Sequence, residues 1–243
     1  MPAALCGGGS RRSGVRESGE RTDADRTVVL RRVAGAVARH VGTRAVHVDL
    51  EARYNWKLNY ENVLDFNHVP YIHPKTFLPL MSKRTETGDP SPEHAVVPDT
   101  LVAQSFASRM PLKIQRFPWH DMVQRYGEGD EYHNLFLFPN VNFISVGGLV
   151  FLVQQFDPLA PNRTQVRFTL MTAKENRRIA ALPAILRGHL RSEVDVLYED
   201  LGHLEALQAN LHDGSPRVRH GQYEQRLMSF ARVYKQLLDG DTA

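Results

Sequence analysis

The chain has 243 residues, 42% hydrophobic and 23% charged, an ordinary globular composition that suits one large domain or a domain with a tail. Its net charge of +3 is concentrated in residues 1–50, which carry +4, so no basic face in the remainder points to nucleic acid. The single cysteine, Cys6, excludes an internal disulfide and a cysteine-ligated cluster on this chain. With no apolar run of about 18 residues and no signal-peptide core, a cytoplasmic chain without a membrane partner is expected.

Residues 1–27 are rich in Gly, Ser and Arg and nearly devoid of large apolar side chains, so a disordered tail is expected there. An Arg-rich targeting peptide is opposed by Glu17, Glu20, Asp23 and Asp25, and a misjoined reading frame is the remaining alternative. Folded structure is expected over 28–243. Val29, Leu30, Val33, Val37 and Val41 predict a short amphipathic helix that leads into a strand around Ala45 to Leu50.

Most of the chemistry lies in Tyr54 to Phe77, YNWKLNYENVLDFNHVPYIHPKTF. A helix from about Asn55 to Asn67 is predicted, anchored by Trp56, Leu58, Val63, Leu64 and Phe66. Asn62, Asp65 and His68 recur every third residue and share one stripe. His68 and His73 stand five apart, on different faces of an ideal helix, so both reach one metal only if the backbone changes course between them. Pro70 and Pro74 supply that change. A carboxylate one turn before a histidine can take its free N–H, a role open to Asp65. Alone, the histidine pair also fits a helix end with structural prolines.

Residues 83–96, KRTETGDPSPEHAV, predict an exposed loop. Strands follow at Thr100 to Ser108, Leu112 to Phe117, Tyr132 to Phe138, Asn142 to Val146, Leu149 to Phe156 and Thr164 to Thr172, with a Gly147-Gly148 hairpin and a loop at DPLAPNR. Their short connections imply an antiparallel sheet. Phe106, Phe136, Phe138, Phe143 and Phe151 either line a cavity or fill the sheet core. A long helix from Ile185 to Leu211 buries a stripe through Leu190, Val194, Leu197, Leu201, Leu204 and Leu211, with Asp200 at its edge and Glu199 pointing away. A last helix, Gln222 to Leu238, buries Leu227, Phe230 and Tyr234.

Within residues 55–76, N-W-K-L, E-N and D-x-x-H-x-x-x-x-H-P-x-T resemble the iron-site segment of Rieske-type non-haem iron aromatic ring-hydroxylating oxygenases, closest to the phthalate and vanillate demethylase type. YEDLGHLEALQANL resembles the segment of the same family that carries its third iron ligand. The resemblance implies an α+β helix-grip (START-like) fold, an antiparallel sheet curved around a long C-terminal helix. It implies a mononuclear Fe(II) held by His68, His73 and Asp200, with His203 and Glu205 as outside candidates for the third position. Asp65 would orient His68 and relay electrons across a subunit boundary, and Asn62 would lie near the metal.

The implied reaction is O₂-dependent hydroxylation or oxidative demethylation of a small apolar substrate, with electrons passing from an NAD(P)H reductase through a Rieske-bearing donor. Since Cys6 stands alone, that donor would be a separate chain or a missing domain. A homotrimer is the implied assembly. The rival reading is a non-enzymatic helix-grip carrier of an apolar small molecule, its histidines incidental. A zinc hydrolase is disfavoured because nothing resembles a general base beside a metal-bound water.

Overall fold

The computed structural model describes residues 35, 38–65, 67–80, 105–127, 129–211, 219–221 and 224–239. The expected tail at 1–27 and the expected loop at 83–96 lie outside the described residues. Six strands, β1 (Val41–Ala52), β2 (Ser105–Pro111), β3 (Glu131–Leu137), β4 (Val141–Val146), β5 (Val150–Ala160) and β6 (Arg163–Ala173), form one sheet in the order β1-β6-β5-β4-β3-β2. Every neighbouring pair is antiparallel, so β2 to β6 form a meander and β1 closes on β6. Gly147 and Gly148 turn β4 into β5 with φ of +57° and +65°. A Cβ on Gly148 would run into the Tyr126 carbonyl, so both its backbone angle and its surroundings demand glycine.

Two strand expectations are corrected. Leu112 to Phe117 is not a strand: Leu112 N still donates to Asp130 O in the β2–β3 register, but the ladder ends there, and Lys113 N donates to Leu80 O, both at 2.7 Å. In the other direction, β5 runs on through Asp157 to Ala160, where a loop was expected. Pro158 is tolerated because pairing with β4 ends at Gln155, so its missing N–H faces no strand on that side.

Among the described residues, helices α1 (Trp56–Leu64), α2 (Val69–Ile72), α3 (Leu182–Asn210) and α4 (Gln225–Leu238) complete the α+β architecture. Asn55 starts α1 by accepting the backbone N–H of Lys57 at 3.0 Å. The long helix α3 packs on β1 and β6 through a face that includes Leu182, Leu186, Leu197 and Leu204. A second cluster of Tyr60, Leu64, Phe136, Leu227 and Phe230 ties α4 to α1 and the sheet. Among the described residues no helix is long and apolar enough to cross a membrane.

Candidate metal centre

Helix α1 stops at Asp65, three residues after Asn62, because Asp65 turns to extended backbone at φ −96° and ψ 125°. Its Oδ1 then accepts the N–H of Asn67 at 2.8 Å and starts a new course for the chain. His68 opens α2 with Pro70 in the first turn, where a missing N–H does no harm, and His73 closes it. The two imidazoles thus come from the two ends of one short turn, with ring centroids 5.3 Å apart and planes at 72°.

Helix α3 brings Asp200 to the same place. One ligand-capable atom from each of His68, His73 and Asp200 lies within 4.8 Å of the others. Asp200 Oδ1 is 3.0 Å from His73 Nε2 and 3.8 Å from His68 Nε2. Yet among the described residues this buried oxygen makes no aligned hydrogen bond, the approach to His73 being close without the geometry of one. An unmet buried acceptor beside two imidazole nitrogens is a donor set that fits a divalent transition metal, two histidines and a carboxylate with other positions open.

The remaining nitrogen of His73 is held. Its Nδ1 donates to Glu199 Oε2 at 2.8 Å, and the Thr76 hydroxyl donates to the same oxygen at 2.6 Å. Burial disfavours the His73 imidazolium, but the Asp200 and Glu199 carboxylates outweigh it and raise the pKa above its ordinary value. Burial likewise works to raise the Glu199 carboxyl, and Thr76 and His73 overcome it, so its pKa is lowered. Glu199 points away from the apolar stripe of α3, and its role depends on where α2 crosses that helix. The one signal in the sequence was its place beside Asp200.

Asp65 Oδ2 stands 3.7 Å from His68 Nδ1, beyond hydrogen-bond reach, and that buried nitrogen has no hydrogen-bond partner among the described residues. Burial would raise the Asp65 carboxyl, but His68 and Asn67 outweigh it and lower its pKa. Asn62 lines the cavity beside the cluster. His203 is exposed, and Glu205 pairs with Arg53 at 3.0 Å, so neither joins the group.

A partly open cavity adjoins the cluster. Val63, Val69, Phe77, Ile144 and Val196 form its apolar lining, while Asn134, Asn142, Gln154 and Glu193 also face it. Phe136, Phe138, Phe143 and Phe151 do not line it. Phe136 and Phe138 pack on Phe230, and Phe143 stacks on Phe151 with centroids 5.8 Å apart. The side chain of Phe106 lies outside the described residues.

The family model for the ring hydroxylating alpha subunit (catalytic domain) matches residues 38–240. Among solved structures, the quaternary ammonium Rieske monooxygenase CntA in complex with an inhibitor superposes with a TM-score of 0.58 at 15% identity, over 85% of this chain and 52% of that one. NdmA of Pseudomonas putida CBB5, as a QL mutant with caffeine, gives a TM-score of 0.52 at 14% identity, over 81% of this chain and 51% of that one. The chain therefore spans about half the length of these structures, and at such identities the likeness concerns the fold alone. No curated protein sequence matches.

Proposed function

Because the chain belongs to the ring hydroxylating alpha subunit family as a catalytic domain, we propose that it forms the iron-site portion of a Rieske-type oxygenase acting on a small organic substrate. His68, His73 and Asp200 hold the ferrous ion, whose chemistry when bound is the activation of O₂ for hydroxylation or oxidative demethylation. Glu199 keeps the Nδ1 proton of His73 and so presents Nε2 as the lone-pair donor, while Thr76 fixes Glu199. Asp65, beside His68, lies on the route of electrons from a neighbouring subunit's Rieske centre, supplied by an NAD(P)H reductase. A homotrimer provides that neighbour. Asn62 stands near the metal without ligating it. Val63, Val69, Phe77 and Ile144 keep water from the substrate's apolar body.

One observation carries this reading: three donors from two distant stretches of the chain meet around an Asp200 oxygen that has no hydrogen-bond partner among the described residues. Metal analysis of protein reconstituted with Fe(II) tests it. The expected result is about one iron per chain, the count for one such donor set, lost in His68→Ala and Asp200→Ala and retained in His203→Ala. Metal-free protein carrying a bound apolar molecule supports the carrier instead and overturns the reading.

A further inference from the structure

The cavity walls hold two hydrogen-bond acceptors that the oxygen chemistry does not use. Asn142, on β4, is fully buried at 0% exposure, and its Nδ2 donates to Gln154 Oε1 at 2.7 Å. Its Oδ1 is buried and has no hydrogen-bond partner among the described residues. Glu193, on α3, is half-buried and lines both the main cavity and the adjoining recess beside Phe156 and Phe168. Burial, with no cation offsetting it, pushes its pKa up to about 7. The buried cation nearby in the fold, Arg226, donates to Asn134 Oδ1 at 2.6 Å and does not line the cavity.

A wholly apolar ligand would leave Asn142 Oδ1 unmet and the Glu193 carboxyl desolvated, and an organic anion would further oppose ionisation of Glu193, whereas a cation favours it. A donor with positive charge satisfies both. Glu193 precedes Asp200 by seven residues, two turns or roughly 10 Å along the same face of α3. A charged nitrogen there sits apart from the donor cluster, leaving the apolar body of the molecule to lie between them.

We propose that this cavity selects a protonated organic amine, its N–H groups received by the Glu193 carboxylate and Asn142 Oδ1. The inference rests on the oxygenase reading for what happens to that amine, but not for its binding. It narrows the expected small apolar substrate to one with an apolar body and a basic nitrogen.

Calorimetric titration of the full chain, with and without Fe(II), tests it using benzylamine, benzyl alcohol and benzoate as probes. Benzylamine is expected to bind about tenfold or more tightly than benzyl alcohol, the scale of a charge-assisted hydrogen bond, and benzoate more weakly than either. Glu193→Gln should abolish the preference while leaving the iron content of the protein unchanged. Benzylamine binding no tighter than benzyl alcohol, or benzoate binding best, overturns the proposal. So does an amine preference that survives Glu193→Gln and disappears on iron removal, since the nitrogen would then be ligating metal. Failure to bind iron at all, with the amine preference intact in the metal-free chain, sinks the oxygenase reading and leaves this one standing.

Discussion

Replacing Glu199 by alanine tests whether a side chain outside the donor cluster sets its affinity. The Glu199 side chain is 27% exposed and its partner His73 is 4% exposed, so the 2.8 Å contact between them is largely shielded from water. A charge-assisted hydrogen bond in such a place contributes about 1.5–3 kcal/mol, and the exposure of Glu199 draws the value toward the lower end, about 1.5–2 kcal/mol. Removing it frees the His73 ring to choose its tautomer and tilt. Metal affinity should then fall about ten- to thirtyfold, within the range usual for loss of such an outer partner. Competition between the protein and a chelator for Fe(II) under anaerobic conditions measures the change. Glu199→Gln keeps an acceptor for Nδ1–H and should recover most of the loss. A folded Glu199→Ala protein with affinity within about twofold of the parent would refute the reasoning and assign the orientation of His73 to packing alone.

Other perturbations separate the fold from the site. Gly148→Ala places a methyl group against the Tyr126 carbonyl at a φ of +65°, and should destabilise the chain by about 2–4 kcal/mol in urea unfolding. Phe230→Ala removes a fully buried ring that packs on Tyr60, Phe136 and Phe138; a cost of about 3–5 kcal/mol is expected, and an unchanged urea midpoint would contradict that packing. Glu193 keeps its proton to about pH 7 when folded, against an ordinary value of 4.5. Between those values the unfolded chain ionises first, so stability should decline as pH rises through the window and level off above it. Urea midpoints across this range should decline less in Glu193→Gln, and parallel curves for the two proteins would count against a proton retained on Glu193.

Much of this arrangement is legible in local sequence. Pro70 marks the first turn of α2 and Pro74 follows its end, but the backbone changes course before His68, at Asp65, and not between the two histidines as expected; Asp200 is visible at the edge of an apolar stripe. The correspondence fails where tertiary placement decides. Glu199 is one residue from Asp200, about 100° further round the helix, and only the crossing of α2 over α3 turns that direction toward His73. The cavity wall is a second case. In β4, Phe143 alternates with Asn142 and Ile144, and sequence alone does not say which set faces α3. The structure turns Asn142 and Ile144 inward, so polar groups face the cavity where phenylalanines were considered. Leu112 and Ile114 carry strand-like alternation, yet the ladder with β3 ends after Leu112 and both side chains serve as anchors on the core.

The central claim is that three side chains share one metal ion. Anomalous diffraction at the iron edge, from crystals of the full chain grown with Fe(II) without oxygen, tests it most directly. A single strong peak within bonding distance of His68 Nε2, His73 Nε2 and Asp200 Oδ1 is the predicted result. A peak elsewhere, or iron contacting the imidazoles with Asp200 turned away, would contradict the account.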